Sequence, residues 1–346
     1  MKIIKKYCAC LLAGVMAGLL FTGCFGGKAP AYSTAQQAAS AVQPAGEQQL
    51  RIVCTVFPVY DWMRQILGDY AENTDLVLLL DKGVDLHNYQ PTTKDMVAVS
   101  ACDVFVYVGG ESDGWVEDAL RQAANPDRVA VNLLAVLGED VKEEEIIEGM
   151  QQEAAPEALA HAQAPEYDEH IWLSLKKAQT LTAYLAGVLA AADPANAAGY
   201  QANAQAYLET LAALDSAYAQ AAAAAEQKTL LFGDRFPFRY LADDYGLTYY
   251  AAFAGCSAET EASFETITFL AGKMDTLHLG SILTLEGTQH KIAQTIVDNT
   301  ASKNQTILTL DSMQSVTADD VAAGATYLAI MQKNLEVLKQ ALQLGE

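Results

Sequence analysis

The stretch from Ala195 to Glu226 constrains the fold more than any other part of this 346-residue chain. It is alanine-rich and free of proline, and Tyr200, Tyr207, Leu208, Leu211, Leu214 and Tyr218 recur at three- and four-residue steps. That spacing places them on one buried stripe of a helix. At 1.5 Å per residue the helix runs roughly 45 Å, enough to cross two small domains. A rod of that kind resists hinge bending, so capture of a ligand is expected to involve small movements.

Both flanks of the rod read as alternating strand and helix. In the first half, Arg51 to Phe57, Leu76 to Leu80, Val104 to Val108 and Val129 to Leu133 are apolar runs of strand length. Tyr60 to Leu67, Thr93 to Ser100 and Gly114 to Ala123 carry helical patterns between them. The second half repeats the plan with strands at Thr229 to Phe232, Leu247 to Phe253, Ile282 to Leu285 and Thr306 to Leu310. Its helices fall at Ser263 to Met274, Gln289 to Asn299 and a last one from about Ala318 to Leu344. Continuous apolar strands alternating with helices predict a parallel sheet covered on both faces. The expected architecture is α/β in two lobes, each a parallel four-stranded sheet flanked by helices, joined by a long rigid connecting helix. The expected boundaries are residues 50–192 for the first lobe, 193–227 for the connector and 228–346 for the second lobe. A further helical pattern, Ile171 to Ala191, ends before Pro194.

Upstream, Lys2, Lys5 and Lys6 precede an apolar run from Leu11 to Phe21. This is the tripartite pattern of a secretory signal over residues 1–23, too short to span a bilayer. Its end, Leu20-Phe21-Thr22-Gly23-Cys24, resembles a bacterial lipobox, which implies a diacylated Cys24; the alternative is an ordinary secretory signal with an incidental cysteine. Residues 24–49, rich in Ala, Gln, Ser, Pro and Gly, read as a flexible tether. No later segment is long and apolar enough for a membrane helix, so the lipid is expected to be the only anchor.

The formal net charge of -22 repels nucleic acid and anionic lipid and raises the local concentration of cations. Charge ranks partners without naming one. Cys54, Cys102 and Cys256 lie at scattered positions with no Cys-x-x-Cys spacing, which argues against a thiolate zinc site or a redox motif. Buried free cysteines are expected. Between residues 141 and 169 the chain is aperiodic and acidic, with Glu143, Glu144, Glu145, Glu148, Glu153, Glu157, Glu166, Asp168 and Glu169 surrounding His161. It reads as an acidic loop that either gathers cations or is simply a solvated surface.

His87 follows a predicted strand and leads into a helix, the sheet edge where ligands gather in this architecture. His170 closes the acidic loop as a helix begins. Taken singly, each histidine is more often a cap or a core residue than a ligand. His278 and His290 lie among polar neighbours and read as surface residues.

Together the two segments resemble motifs of the zinc and manganese solute-binding lipoproteins of ABC importers, known as cluster A-I. That family carries Pro-Gly-x-x-x-His-x-Tyr-x-Pro for its first ligand and Asp-x-His-x-Trp-Leu for its second. Gly83 to Pro91 matches the first apart from Lys82 in place of proline, and Asp168-Glu169-His170-Ile171-Trp172-Leu173 matches the second. The resemblance extends over nearly all of the chain beyond the tether, including Val106-Tyr107-Val108-Gly109-Gly110 before Trp115 and the long helix.

At the third ligand the sequence departs from the pattern. A gapless match places Arg235 where the family has histidine or glutamate, and one extra residue places Asp234 there. Arginine is a permanent cation and cannot coordinate, so Asp234 is the expected third ligand, unless it merely pairs with Arg235 or Arg239. Asp311, at the end of Ile307-Leu308-Thr309-Leu310, falls where the family places its last ligand, and Glu286 is the reserve. The segment Gly255-Cys256-Ser257 to Ser263 also resembles a family segment; Ser263 reads there as a helix cap, with no metal role. The resemblance implies a metal-binding set of His87, His170, Asp234 and Asp311.

Such a nitrogen and oxygen set suits zinc first and manganese, or iron, second. The implied role is an extracytoplasmic, monomeric receptor, expected to pass its ion to the permease of an ABC importer, with no nucleic acid among its partners. A secreted metallohydrolase is the reading from another class, but neither His-Glu-x-x-His nor Gly-x-Ser-x-Gly is present. A lipoprotein for another small solute is the third, and it would require His87 and His170 to lie apart.

Overall fold

Apolar runs that alternate with helices along the chain form two parallel sheets. The computed structural model describes residues 49–151, 166–257, 261–287 and 289–344. The signal, Cys24, all of the tether except Gln49, and His161 with Glu153 and Glu157 lie outside the described residues.

The first sheet contains β1 (Leu50–Cys54), β2 (Thr74–Leu78), β3 (Val104–Tyr107) and β4 (Val129–Asn132), in spatial order β2-β1-β3-β4. Helices α1 (Phe57–Leu67), α2 (Thr93–Ala101) and α3 (Val116–Arg121) lie in its connections, and α4 (Leu133–Leu137) follows its last strand. All neighbouring strands run parallel, with Ile52 opposite both Leu76 and Val104. Ile52, Val53, Cys54, Val104, Phe105 and Val106 are buried, as strands covered on both faces must be. A capping box between Thr92 and Asp95 starts α2, and the Asn132 side chain accepts from the Ala135 N–H to start α4. The apolar run to Leu133 had been expected to continue as strand; the Asn132 cap turns it into helix.

Two helices follow, α5 (Leu175–Ala192) and α6 (Ala197–Ala224). Tyr200, Ala204, Tyr207, Leu211, Leu214 and Tyr218 are the buried stripe of α6, and Leu208 is half-buried. The rod is fastened at both ends. Asn203 donates to the carbonyls of Ile66 and Leu67 at the end of α1, and the Tyr218 hydroxyl donates to the Met331 carbonyl in the second half of the chain.

The second sheet contains β5 (Thr229–Phe236), β6 (Thr248–Ala254), β7 (Ser281–Leu285) and β8 (Thr306–Leu310), in order β6-β5-β7-β8. It repeats the topology of the first, with α7 (Arg239–Tyr245), α8 (Phe264–Leu277), α9 (Lys291–Asp298), α10 (Ala318–Ala322) and α11 (Tyr327–Ala341) about it. Ser263 caps α8 by accepting from the Thr266 N–H.

Two further elements differ from the sequence expectation. Strand β5 continues four residues past Phe232: a register shift between Phe232 and Arg235 absorbs Gly233 and Asp234, and Phe236 then pairs with Ala254. The last helix breaks in two. Gly324 adopts φ +96°, a left-handed conformation that ends a helix and suits glycine, and the Thr326 side chain caps α11 anew.

Buried Asp61 of α1 locks that new start in place. Its Oδ2 accepts from the Tyr327 N–H at 2.9 Å, and its Oδ1 accepts from Arg64 at 2.8 Å. Removing this carboxylate leaves a buried N–H and a partly buried guanidinium without their partner. Asp61→Ala is expected to lower stability by about 3 kcal/mol, the low end of the range for a broken buried pair, because Arg64 keeps some contact with water. Urea denaturation checks this; an unchanged midpoint would show that the contact contributes nothing.

Candidate metal centre

In both sheets the strand order reverses beside the first strand, and the crevice at the carboxyl ends there is where such folds bind ligands. The chemistry-bearing side chains sit at those ends. His87 lies in a short turn of 3-10 helix, Leu86–Asn88, beyond β2, and Ser112 lies beyond β3. On the other sheet Arg235 is near the end of β5, Glu286 and Asp311 follow β7 and β8 directly, and Cys256 lies two residues beyond β6. His170 precedes a second 3-10 turn, Ile171–Leu173, that leads into α5.

The two histidines meet. Nε2 of His87 and Nε2 of His170 are 3.2 Å apart, and the ring planes are inclined at 61°. Each ring is oriented from its other nitrogen: Nδ1 of His170 lies 2.9 Å from Asp168 Oδ1, and Nδ1 of His87 lies 2.8 Å from Ser112 Oγ. Asp168 also accepts from the His170 backbone N–H, so the carboxylate fixes the segment as well as the ring. An Nδ1–H donated to Asp168 leaves the Nε2 lone pair of His170 free to face His87, the arrangement usual for histidine ligands of zinc.

His170 is wholly buried and His87 nearly so. Burial, and then the neighbouring charge of His170, push the His87 pKa down to about 3. Burial works in the same sense on His170, but the Asp168 carboxylate outweighs it and holds that imidazole above its ordinary value. Burial thus disfavours a charge on His87, while Asp168 favours one on His170.

Arg235 is a structural cation in this setting. Its guanidinium donates to Asp85 at 2.6 Å, and Asp85 accepts from the His87 N–H, so the second half of the chain braces the turn that carries His87. Burial alone would raise the Asp85 pKa, but Arg235 outweighs it and holds it below the usual carboxylate range.

Among the described residues, one group of His, Cys, Asp and Glu side chains places a donor atom from each member within 4.8 Å of the others: His87, His170 and Cys256. The structure does not bring Asp234 into that group. Its Oδ1 accepts from the Arg235 N–H and its Oδ2 from the Leu285 N–H, which ties it into its own sheet. Asp311 is also outside, accepting from the Met313 N–H, with burial and the Glu286 charge raising its pKa to about 6. Glu286 holds the loop after β8 through the N–H and hydroxyl of Ser312 and the N–H of Gln314. Cys54, Cys102 and Cys256 are all free thiols.

Sequence reasoning assigned Cys256 no metal role because a single cysteine carries no ligand spacing. Its position just beyond a predicted strand, at a sheet's carboxyl edge, was the available signal. The acidic segment has its described ends stitched to the second sheet's side: Glu144 accepts from the Cys256 N–H, and the Gln151 N–H donates to the Ala252 carbonyl. His278 is exposed at the end of α8, and His290 precedes α9.

Two parallel sheets thus bring a pair of facing imidazoles to their carboxyl edges. The chain belongs to the ZnuA family, described as the periplasmic component A of a zinc-uptake complex, whose profile matches residues 52–341. It is 30% identical over 298 residues to the zinc-binding lipoprotein AdcA of Streptococcus pneumoniae, covering 86% of this chain and 57% of that protein. The chain thus spans little more than half the length of that relative. It is 29% identical over 294 residues to the high-affinity zinc uptake system protein ZnuA of Bacillus subtilis, covering 85% and 88% of the two chains. The crystal structure of the Zn(II)-bound ZnuA-like domain of S. pneumoniae AdcA superposes with a TM-score of 0.65 at 28% identity, over 85% of this chain and 99% of that one. The metal-dependent lipoprotein YcdH of B. subtilis gives a TM-score of 0.68 at 27% identity, over 85% and 100%.

Proposed function

We propose that this chain is an extracytoplasmic receptor that captures zinc through His87 and His170 and delivers it to the permease of an ABC importer. The facing Nε2 atoms carry the reading. A tetrahedral zinc with nitrogens at about 2.0–2.1 Å separates them by about 3.3 Å, and the pair stands at 3.2 Å. Asp168 and Ser112 set the rings from behind, which supports a preformed site. Asp311 is the carboxylate proposed to approach from the second sheet when the lobes close. Asp234 and Glu286 keep the backbone contacts described above. Paired imidazoles favour zinc over manganese, which prefers oxygen donors.

The secretory pattern at the amino terminus and the names of the lipoprotein relatives support residence outside the cell membrane, anchored by lipid on Cys24. No helix among the described residues is long and apolar enough to cross a membrane. The protein is proposed to work as a monomer. Titration of the metal-free protein with zinc in competition with a chromogenic chelator tests the reading, and a one-to-one complex is the expected result. A chain that leaves zinc with the chelator fails it.

Affinity should depend on pH with a definite sign. Zinc must displace the proton that the histidine pair holds, and that proton sits on the imidazole whose pKa lies above the ordinary 6.5. Protonation therefore opposes binding as pH falls through that raised value, and His87 stays neutral throughout. The dissociation constant is expected to rise at least about tenfold per pH unit below it, one proton leaving the histidine pair for each ion and any further ligand proton steepening the rise. An affinity unchanged down to about pH 5 would contradict a histidine site.

A further inference from the structure

We propose that Cys256 is the third protein ligand, binding the ion as a thiolate in place of the side chain that its relatives' pattern would put at Arg235. The inference rests on the zinc reading above and deepens it by naming a sulfur donor.

Geometry is the first argument. The Cys256 Sγ and one ring nitrogen from each of His87 and His170 lie within 4.8 Å of one another, a convergence no other described trio of His, Cys, Asp and Glu achieves. A tetrahedral zinc with sulfur at about 2.3 Å and nitrogen at about 2.0–2.1 Å separates those atoms by about 3.6 Å. The backbone is already in place. Gly255, lacking a Cβ, lets the end of β6 lie against the His170 ring; a Cβ there would stand 2.9 Å from the Phe236 carbonyl oxygen and 3.2 Å from His170 Cε1. The Cys256 N–H is fixed by Glu144 Oε1 at 2.7 Å.

Elimination is the second argument. Arg235 is bound to Asp85 and cannot coordinate, and both oxygens of Asp234 are taken by backbone N–H groups. Cys256 is the C-terminal donor that reaches the histidines, and it is in no disulfide. Coordination is a proton exchange: the zinc–sulfur bond forms, the S–H bond breaks, and the proton leaves to solvent with no change of oxidation state. A thiolate beside two imidazoles makes a soft set that selects zinc, cobalt or cadmium against manganese.

Cobalt(II) serves as the spectroscopic probe. The full chain loaded with one equivalent of cobalt should show a sulfur-to-metal charge-transfer band in the near ultraviolet, and zinc X-ray absorption should show one sulfur at about 2.3 Å. In Cys256→Ser the charge-transfer band should vanish while cobalt remains bound through the histidines, and zinc affinity should fall at least tenfold, the floor for disturbing such a site. Cys24→Ser should keep the band. One-to-one cobalt binding by the unmutated chain with no charge-transfer band, or a band that survives in Cys256→Ser, overturns the proposal and leaves the zinc receptor standing. Failure of the unmutated chain to bind cobalt or zinc at all overturns both.

Discussion

His87→Ala should abolish tight zinc binding while leaving the fold intact. Half of the facing nitrogen pair is removed, and weakening of at least about a hundredfold is expected, since even outer partners of such ligands are worth 10–100-fold. His87 sits in a short turn whose Asp85 is held by Arg235, so the backbone has other support. A thermal-shift assay reads the effect. Zinc at a hundred times its dissociation constant stabilises the unmutated protein by about 2.7 kcal/mol, and the same concentration should stabilise the variant by no more than about 0.4 kcal/mol. His170→Ala should lose zinc equally, but that ring is wholly buried against Asp168 and Trp172, so its loss also destabilises the protein without metal. Retained zinc stabilisation in His87→Ala would remove this residue from the site.

Trp172→Ala carries the largest expected effect on stability. The indole is 1% exposed, its ring lies 5.4 Å from that of His170, and its Nε1 donates to the Ser312 carbonyl beyond β8 at 2.9 Å. Its own carbonyl accepts from the Tyr327 hydroxyl at the start of α11. One residue thus joins the second histidine to the far sheet and to the last helix. Truncation leaves a cavity and an unmet carbonyl, and a loss of about 3–5 kcal/mol is expected from chemical denaturation. Trp172→Phe keeps most of the volume and loses only the donor, so about 1–3 kcal/mol should be lost. Equal midpoints for Trp172→Phe and the unmutated protein would show that the Ser312 contact is without consequence. The ring contact with His170 predicts that Trp172→Ala also weakens zinc binding, because it removes a support of that ligand.

These effects also mark what could be read in the sequence. The two sheets and the rod were legible because period and length decide them: β-branched runs of four to eight residues are strands, and the Tyr200 to Tyr218 stripe can only be helix. The helix break at Gly324 and the continuation of β5 through Gly233 and Asp234 were not, since both depend on partners from afar. Asp61 receives the new start of α11, and Ala254 pairs with Phe236. The histidines were legible from the segments around them. Cys256 was not, because its neighbours in space belong to two other stretches of chain, and its place beyond a strand is a weak mark by itself. Asp234 was attractive in the sequence as the only coordinating side chain next to Arg235. The strand it lies in turns its oxygens toward backbone N–H groups.

The central claim is that His87 and His170 share one zinc ion through their Nε2 atoms. Nitrogen-15 NMR of the imidazoles, with the five histidines of the chain resolved, tests it directly. The account predicts that at one equivalent of zinc the Nε2 resonances of His87 and His170 shift together to the values of metal-bound nitrogen, while His278 and His290 do not move. A shift in only one of the two, or in neither, would contradict it.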